Sequence, residues 1–233
     1  MEAVNSNCFT TVVDEFCDQV MKAVVITRFG GPEVLEIQDV PQPQPGPEEV
    51  LVHVRSTALN RADLLQRLGR YPAPPGAAQN IPGLEFAGEV AELGTNADRW
   101  QKGNRVMGIA GGGAHAEFVT AHQDAVAAVP PNLEWSAAGG VPEVFITAHD
   151  ALQQAGFKAG ENVLIHAVGS GVGLAATQLA SALGGTCLWH FTYARQSRAR
   201  ESIWFGVGIC SSGAERVSGA FCFCEERDRR QRI

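Results

Sequence analysis

The residues whose spacing most directly implies chemistry are glycines. In ENVLIHAVGSGVGLAATQLA, residues 161–180, an apolar run ends at His166. It breaks into Ala167-Val168-Gly169-Ser170-Gly171-Val172-Gly173 and then resumes with the spacing of a helix. A strand that passes through a Gly-rich turn into a helix leaves backbone N–H groups free at the positive end of the helix dipole, where a pyrophosphate can sit. Glycine allows the tight turn and the close approach of ligand to backbone. The strict G-x-G-x-x-G spelling is absent, because alignment on Gly173 puts Val168 and Ser170 at the first two glycine positions. The turn alone therefore fits two readings, a nucleotide phosphate site and a tight strand-to-helix connection.

The elements that must position this turn follow from periodicity. Strand Asn162 to His166 leads into the turn and helix Leu174 to Leu183 leaves it, after an alanine-rich helical region, PEVFITAHDALQQAG, and the loop Lys158-Ala159-Gly160. Upstream the texture is β-rich. Lys-Ala-Val-Val-Ile-Thr precedes the turn Phe29-Gly30-Gly31-Pro32, and EVLVHVRS, residues 49–56, alternates with period two as a half-buried strand does. Pro41, Pro43, Pro45 and Pro47 mark an extended stretch outside any central strand. NRADLLQRL, residues 60–68, predicts a short helix, and further strands are expected at Glu85 to Leu93, Arg105 to Ile109 and His115 to Val119. Many short strands at close spacing predict a small barrel, and the change of texture near Ser136 predicts a second, α/β domain.

Composition narrows the function classes. The net charge of -7 is split into -10 up to Gly185 and +3 beyond it, and only Cys8 and Cys17 of the six cysteines precede residue 186. An acidic body offers no footprint for nucleic acid, and no apolar run approaches a membrane span. The long cysteine-free middle predicts a reduced, cytoplasmic protein. Residues 1–20 lack the basic start and apolar centre of a secretory signal and read as an appended extension.

Five ordered motifs carry a resemblance: KAVVITRFGGPEVLEI, then EVLVHV with ALNRADLLQR, IPGLEFAGEV, PEVFITAHDAL and the A-x-x-S-G-V-G turn. From about Met21 to Gly185 the chain resembles the zinc-independent quinone oxidoreductases of the medium-chain dehydrogenase/reductase superfamily, closest to the branch containing the p53-inducible enzyme. The resemblance implies a GroES-like β-barrel catalytic domain over 21–143 and the start of a Rossmann domain over 144–185. It also implies NADPH as cofactor and hydride transfer to a quinone or enone acceptor. Ser170, Gly171, Val172 and Gly173 match the pyrophosphate site, Asn60 and Thr147 match positions beside the nicotinamide, and Tyr71 matches a pocket tyrosine facing the acceptor. Asn60 and Tyr71 are thus the catalytic candidates. Each has a plainer reading: Asn60 as a helix cap, Thr147 bonded to its own helix, Tyr71 packed on the loop prolines.

Zinc-dependent relatives carry Cys where this chain has Asn60 and His where it has Leu84, so the resemblance implies no metal. His53, His115, His122, His149 and His166 lie scattered, with His166 read as the end of a buried strand. Glu85 lies in the former metal motif and reads equally as a structural hydrogen-bonding group, and Arg99, Lys102 and Arg105 read as a solvated basic patch. Beyond Gly185 the family pattern breaks into a Cys-, Trp- and Arg-rich tail, 186–233, without clear periodicity. It reads as a divergent tail that leaves the Rossmann domain truncated, while Cys222 and Cys224 alone make a weak ligand pair. Three outcomes stay open: an NADPH-dependent quinone oxidoreductase, an alkenal or enoyl reductase of the same superfamily, or a truncated inactive form acting at most as a binding protein. A family-like homodimer is implied by the resemblance, with the altered tail set against it.

Overall fold

The computed structural model describes residues 19–195 and 202–211, so the N-terminal extension and the Cys222–Cys224 pair lie outside the described residues. The chain divides between Glu143 and Val144 into two compact units.

The first unit is built on β-strands. Strands β1 (Val20–Ile26) and β2 (Leu35–Pro41) form an antiparallel hairpin in register from Val20 with Pro41 to Ile26 with Leu35. The proline-spaced stretch ends β2 at Pro41. A five-stranded antiparallel sheet follows, made of β3 (Glu49–Thr57), β4 (Glu85–Leu93), β5 (Arg105–Ile109), β6 (Phe118–His122) and β7 (Val126–Ala128), in the order β6-β3-β4-β5-β7. The hairpin joins the stretch before β6 through a bridge between Ala23 and Ala116 and through Val24 N donating to His115 O at 2.9 Å. The sheet is thus a curled half-barrel. Strand β6 begins three residues later than its sequence implies, at Phe118.

Alternation along β3 is incomplete, because Val50, Leu51 and Val52 are all fully buried and the strand start is covered on both faces. Val50 and Val52 pack with Phe86, Val90, Val106 and Val119. Each such side chain contributes about 1.5–3 kcal/mol by leaving water. On β4, Ala87 packs instead with Val129 and Ala138, with Trp135 laid against them. Helix α1 (Arg61–Arg67) starts from Asn60 in extended conformation, and the short α2 (Trp135–Ala138) leads into α3 (Pro142–Gln154). Arg105 does not belong to a solvated patch. It stacks over Trp135 at 4.3 Å and donates to Leu133 O at 2.9 Å, whereas Arg99 pairs with Asp124.

In the second unit β8 (Asn162–His166), α4 (Gly171–Ala182) and β9 (Thr186–Arg195) form a β-α-β unit, with β8 and β9 parallel from Asn162 with Thr186 to His166 with His190. Ala175, Ala176 and Ala180 let α4 approach the sheet closely, and Ile165, Ala148, Leu152 and Cys187 complete this core. The segment after Gly185 is therefore not without regular structure. TCLWHFTYAR forms β9, and SIWFGVGICS forms β10 (Ser202–Ser211), antiparallel to it from Ser202 with Arg195 to Ser211 with Thr186. Strand β10 departs from the doubly wound pattern, since it reverses as a hairpin partner rather than crossing over. Strand β8 is partly uncovered, as a first strand with few of the family's later strands and helices against it must be. It lies at the edge of this sheet among the described residues, and Leu164 is 55% exposed.

Candidate functional site

The first unit contains a buried polar cluster where the end of β3, the start of α1 and the start of β4 meet. Asn60 is the N-cap of α1 and Asp63 its third residue, the spacing of a capping box, and Asp63 Oδ2 accepts from Asn60 N at 2.7 Å. The second oxygen of Asp63 accepts from Gly83 N at 3.0 Å. The Asn60 amide faces β4, with Nδ2 donating to Glu85 Oε1 at 2.8 Å. Glu85 Oε2 accepts from Glu143 N at 3.0 Å, and Glu85 is only 1% exposed. Glu85 is thus a hydrogen-bonding group, the second of the two readings its sequence context leaves open, and one partner is the candidate residue Asn60 itself.

His115 closes the cluster from the other side. Thr57 Oγ1 donates its only hydrogen to Glu85 O at 2.7 Å, so its contact with His115 Nδ1 at 3.1 Å requires that nitrogen to donate. His115 Nε2 is buried 3.6 Å from Asp63 Oδ2 and has no hydrogen-bond partner among the described residues. Burial pushes the Asp63 carboxyl up, but His115 and the N–H groups of Asn60 and Gly83 outweigh it, and its pKa lies below the ordinary aspartate value. Burial first, then the Glu85 and Asp63 carboxylates, push Glu143 above the usual range.

The Asp63 shift sets a sign. A carboxyl whose folded pKa is depressed adds stability that is fully present above its unfolded value and is lost as pH falls through the folded one. Urea unfolding between neutral pH and about pH 3 is therefore expected to show a steeper acid loss in the wild type than in Asp63→Asn, the wild-type advantage at neutral pH shrinking below about pH 4. Parallel curves would refute the role of Asp63.

Tyr71 lies in the loop after α1 and is 44% exposed. Thr147 is exposed on α3 and belongs to the second unit.

The glycine turn is the second unit's candidate. Ser170 is the N-cap of α4, extended at φ -81° and ψ 159°, and its Oγ accepts from Gly173 N at 3.1 Å. The serine that breaks the strict glycine spelling thus caps the helix, which begins at Gly171 rather than Leu174. The first-turn N–H groups of Gly171 and Val172 have no acceptor within the helix. Ala167 turns the chain at φ 53°, a left-handed conformation costly for a residue with a Cβ. A Cβ on Gly173 would lie 2.6 Å from Ala167 O and 2.7 Å from Val168 Cα, and one on Gly171 would lie 2.8 Å from Val144 Cγ1. A Cβ on Gly169 would meet nothing within 4 Å. Two glycines are therefore required by packing and one borders open space. His166, at the end of β8, is exposed rather than buried.

Among the described residues no group of three or more His, Cys, Asp or Glu is arranged to hold a metal ion, and no helix is long and apolar enough to cross a membrane. Thr57, Asp63 and His115 are site residues that the sequence did not single out. The N-x-x-D spacing from Asn60 is a legible signal for Asp63, while Thr57 and His115 join only through the sheet.

A half-barrel followed by a β-α-β unit with a Gly-rich turn defines the two-unit plan of the medium-chain dehydrogenases. Residues 46–131 match the alcohol dehydrogenase GroES-like domain. The human quinone oxidoreductase is 37% identical over 171 residues, covering 71% of this chain and 51% of that protein. Among solved structures, the human synaptic vesicle membrane protein VAT-1 homolog-like protein is 34% identical at TM-score 0.68, covering 73% of this chain and 56% of that one. A mycobacterial protein complexed with NADPH is 35% identical at TM-score 0.64, covering 72% and 51%. The chain belongs to the medium-chain dehydrogenase/reductase superfamily, as a relative of its quinone oxidoreductases. It spans about half the length of the relatives it matches.

Proposed function

We propose that the chain is a zinc-independent oxidoreductase of the quinone reductase type that uses NADPH. The observation that carries this reading is the turn before α4, where two unpaired N–H groups, a capping serine and an open glycine meet at the N-terminus of a twelve-residue helix. That arrangement suits a pyrophosphate. Ser170, Gly171, Val172 and Gly173 would hold it. Similarity to the human quinone oxidoreductase and to a structure that contains NADPH supports the cofactor and the acceptor class.

Bound NADPH would supply the hydride. The residues of this chain then bind, orient and polarise. Asn60 would hold the nicotinamide, and Thr147 of the second unit would contact the cofactor. Tyr71, an exposed phenol, would donate a hydrogen bond to the acceptor's carbonyl oxygen as negative charge gathers there. Asn60 and Leu84 offer an amide and an alkyl group where zinc would need thiolate and imidazole, which supports chemistry without metal. The cysteine-free middle of the chain fits the cytoplasm.

Titration of the full chain with NADPH tests this reading directly. Ligand at about 100 times its Kd raises stability by roughly 2.7 kcal/mol, seen as a rise in Tm. No shift at millimolar NADPH would reject the proposal. Where binding is seen, NADPH oxidation is expected to be faster with an ortho-quinone than with an enal, and the reverse order would assign an enoyl reductase.

A further inference from the structure

We propose that Glu85 is a positioning residue: a buried carboxylate that sets which way round the Asn60 amide faces and ties it to the first turn of α3. The inference rests on the reading that Asn60 contacts cofactor or acceptor. An asparagine amide has a donor end and an acceptor end, and a carboxylate that only accepts can take the donor end alone. Glu85 Oε1 takes Asn60 Nδ2 at 2.8 Å and Oε2 takes Glu143 N at 3.0 Å. At 1% exposure no bulk water competes for either oxygen. The backbone N–H of Asn60 goes to the second buried carboxylate, Asp63. Asn60 is thus held by one carboxylate on its main chain and by another on its side chain. What the proposal assigns to a ligand on this half-buried residue is acceptor capacity on Oδ1, in an orientation that Glu85 dictates and that an aspartate at this position can keep.

Four full-length proteins test this: wild type, Glu85→Gln, Asn60→Asp and the double variant. The introduced glutamine faces two donors with one acceptor, so it either leaves Glu143 N unpaired or forces the Asn60 amide to flip. The introduced aspartate sets two carboxylates against each other. In the double variant the glutamine oxygen can accept from Glu143 N while its nitrogen donates to the aspartate, and both bonds return.

Each single substitution is expected to lower kcat/KM for NADPH-dependent quinone reduction about 10- to 100-fold, with the double variant recovering to within roughly threefold of wild type. Asn60→Asp alone should regain relative activity as pH falls, when one proton can be shared by the carboxyl pair. Recovery of the urea midpoint without recovery of kcat/KM would overturn the proposal and leave Glu85 a structural brace. Should wild type fail to bind NADPH, the functional reading falls separately. The unfolding free energies of the same four proteins still decide the link, because additivity between positions 60 and 85 would overturn it and strong coupling would support it.

Discussion

Gly83→Ala is expected to destabilise the first unit by about 3–5 kcal/mol, which is the sum of a backbone cost and a packing cost. Gly83 sits at φ +106°, outside the region that side-chain-bearing residues adopt, and a Cβ there would lie 2.4 Å from His115 N and 2.8 Å from Ala114 C. Both of the latter are backbone atoms, so no rotamer change relieves the contact. Gly83 also donates to Asp63 Oδ1 at 3.0 Å and accepts from Ala114 N at 3.2 Å. One added carbon therefore pushes apart the segments that carry Asp63 and His115. Against a total domain stability on the order of 5–15 kcal/mol, a loss of that size shifts the urea midpoint far to the left. Gly76→Ala is the control. Gly76 has φ +89° and nothing within 4 Å of a built Cβ, so it isolates the backbone cost, about 1–3 kcal/mol. Equal losses in the two variants would refute the packing account.

Local pattern made much of this fold legible, and long-range pairing supplied the rest. Strands β4, β5 and β8 begin and end where their periodicity ends, at Glu85 and Leu93, Arg105 and Ile109, and Asn162 and His166. Each is bounded by turn-forming residues that interrupt the hydrogen-bond ladder. The segment before β6 misleads because Ala114, Ala116 and Val119 mimic a continuous strand. Its first residues instead bond across to the β1–β2 hairpin, as Glu117 N does to Lys22 O at 3.0 Å. Strand β9 is hidden for the opposite reason, since Cys187, Leu188, Trp189 and Phe191 leave no alternation to detect.

The site divides the same way. Asn60 stands at a helix start that sequence spacing reveals, Ser170 at one that the spacing places too late, and each is a cap in the structure. Capping and function do not compete at Asn60, because its main chain is held by Asp63 while its amide is held by Glu85. His115 lies 58 residues from Thr57, and only the antiparallel pairing of β3 with β6 brings the two to 3.1 Å. No spacing rule along the chain encodes that meeting. Glu85 reads two ways in the sequence, as part of the former metal motif and as a structural group, and it does satisfy Glu143 N. Its second bond, to a candidate site residue, is what gives it a further role.

Gly173→Ala and Gly169→Ala are expected to separate the two demands on the glycine turn. A Cβ on Gly173 runs into Ala167 O at 2.6 Å and Val168 Cα at 2.7 Å, both main-chain atoms of the turn. Helix α4 must then move away from the end of β8, and Ser170 Oγ loses its alignment with Gly173 N. Overpacking of this kind costs about 1–3 kcal/mol without ligand present. Displacement of the first-turn N–H groups should weaken NADPH by at least about tenfold, the loss expected when charge-assisted hydrogen bonds are misaligned. Gly169→Ala adds its methyl to open space, so the Tm of the free protein should stay within the range of a neutral surface change, about 0.5 kcal/mol. If that open space is where the pyrophosphate lies, NADPH affinity should nonetheless fall, and isothermal titration calorimetry on both variants reads it directly. A glycine variant that keeps its stability and loses its ligand marks a binding surface, whereas one that loses both marks a packing position. Unchanged NADPH affinity in Gly169→Ala would move the phosphate away from Gly169 and leave Gly171 and Val172 as the donors to test next.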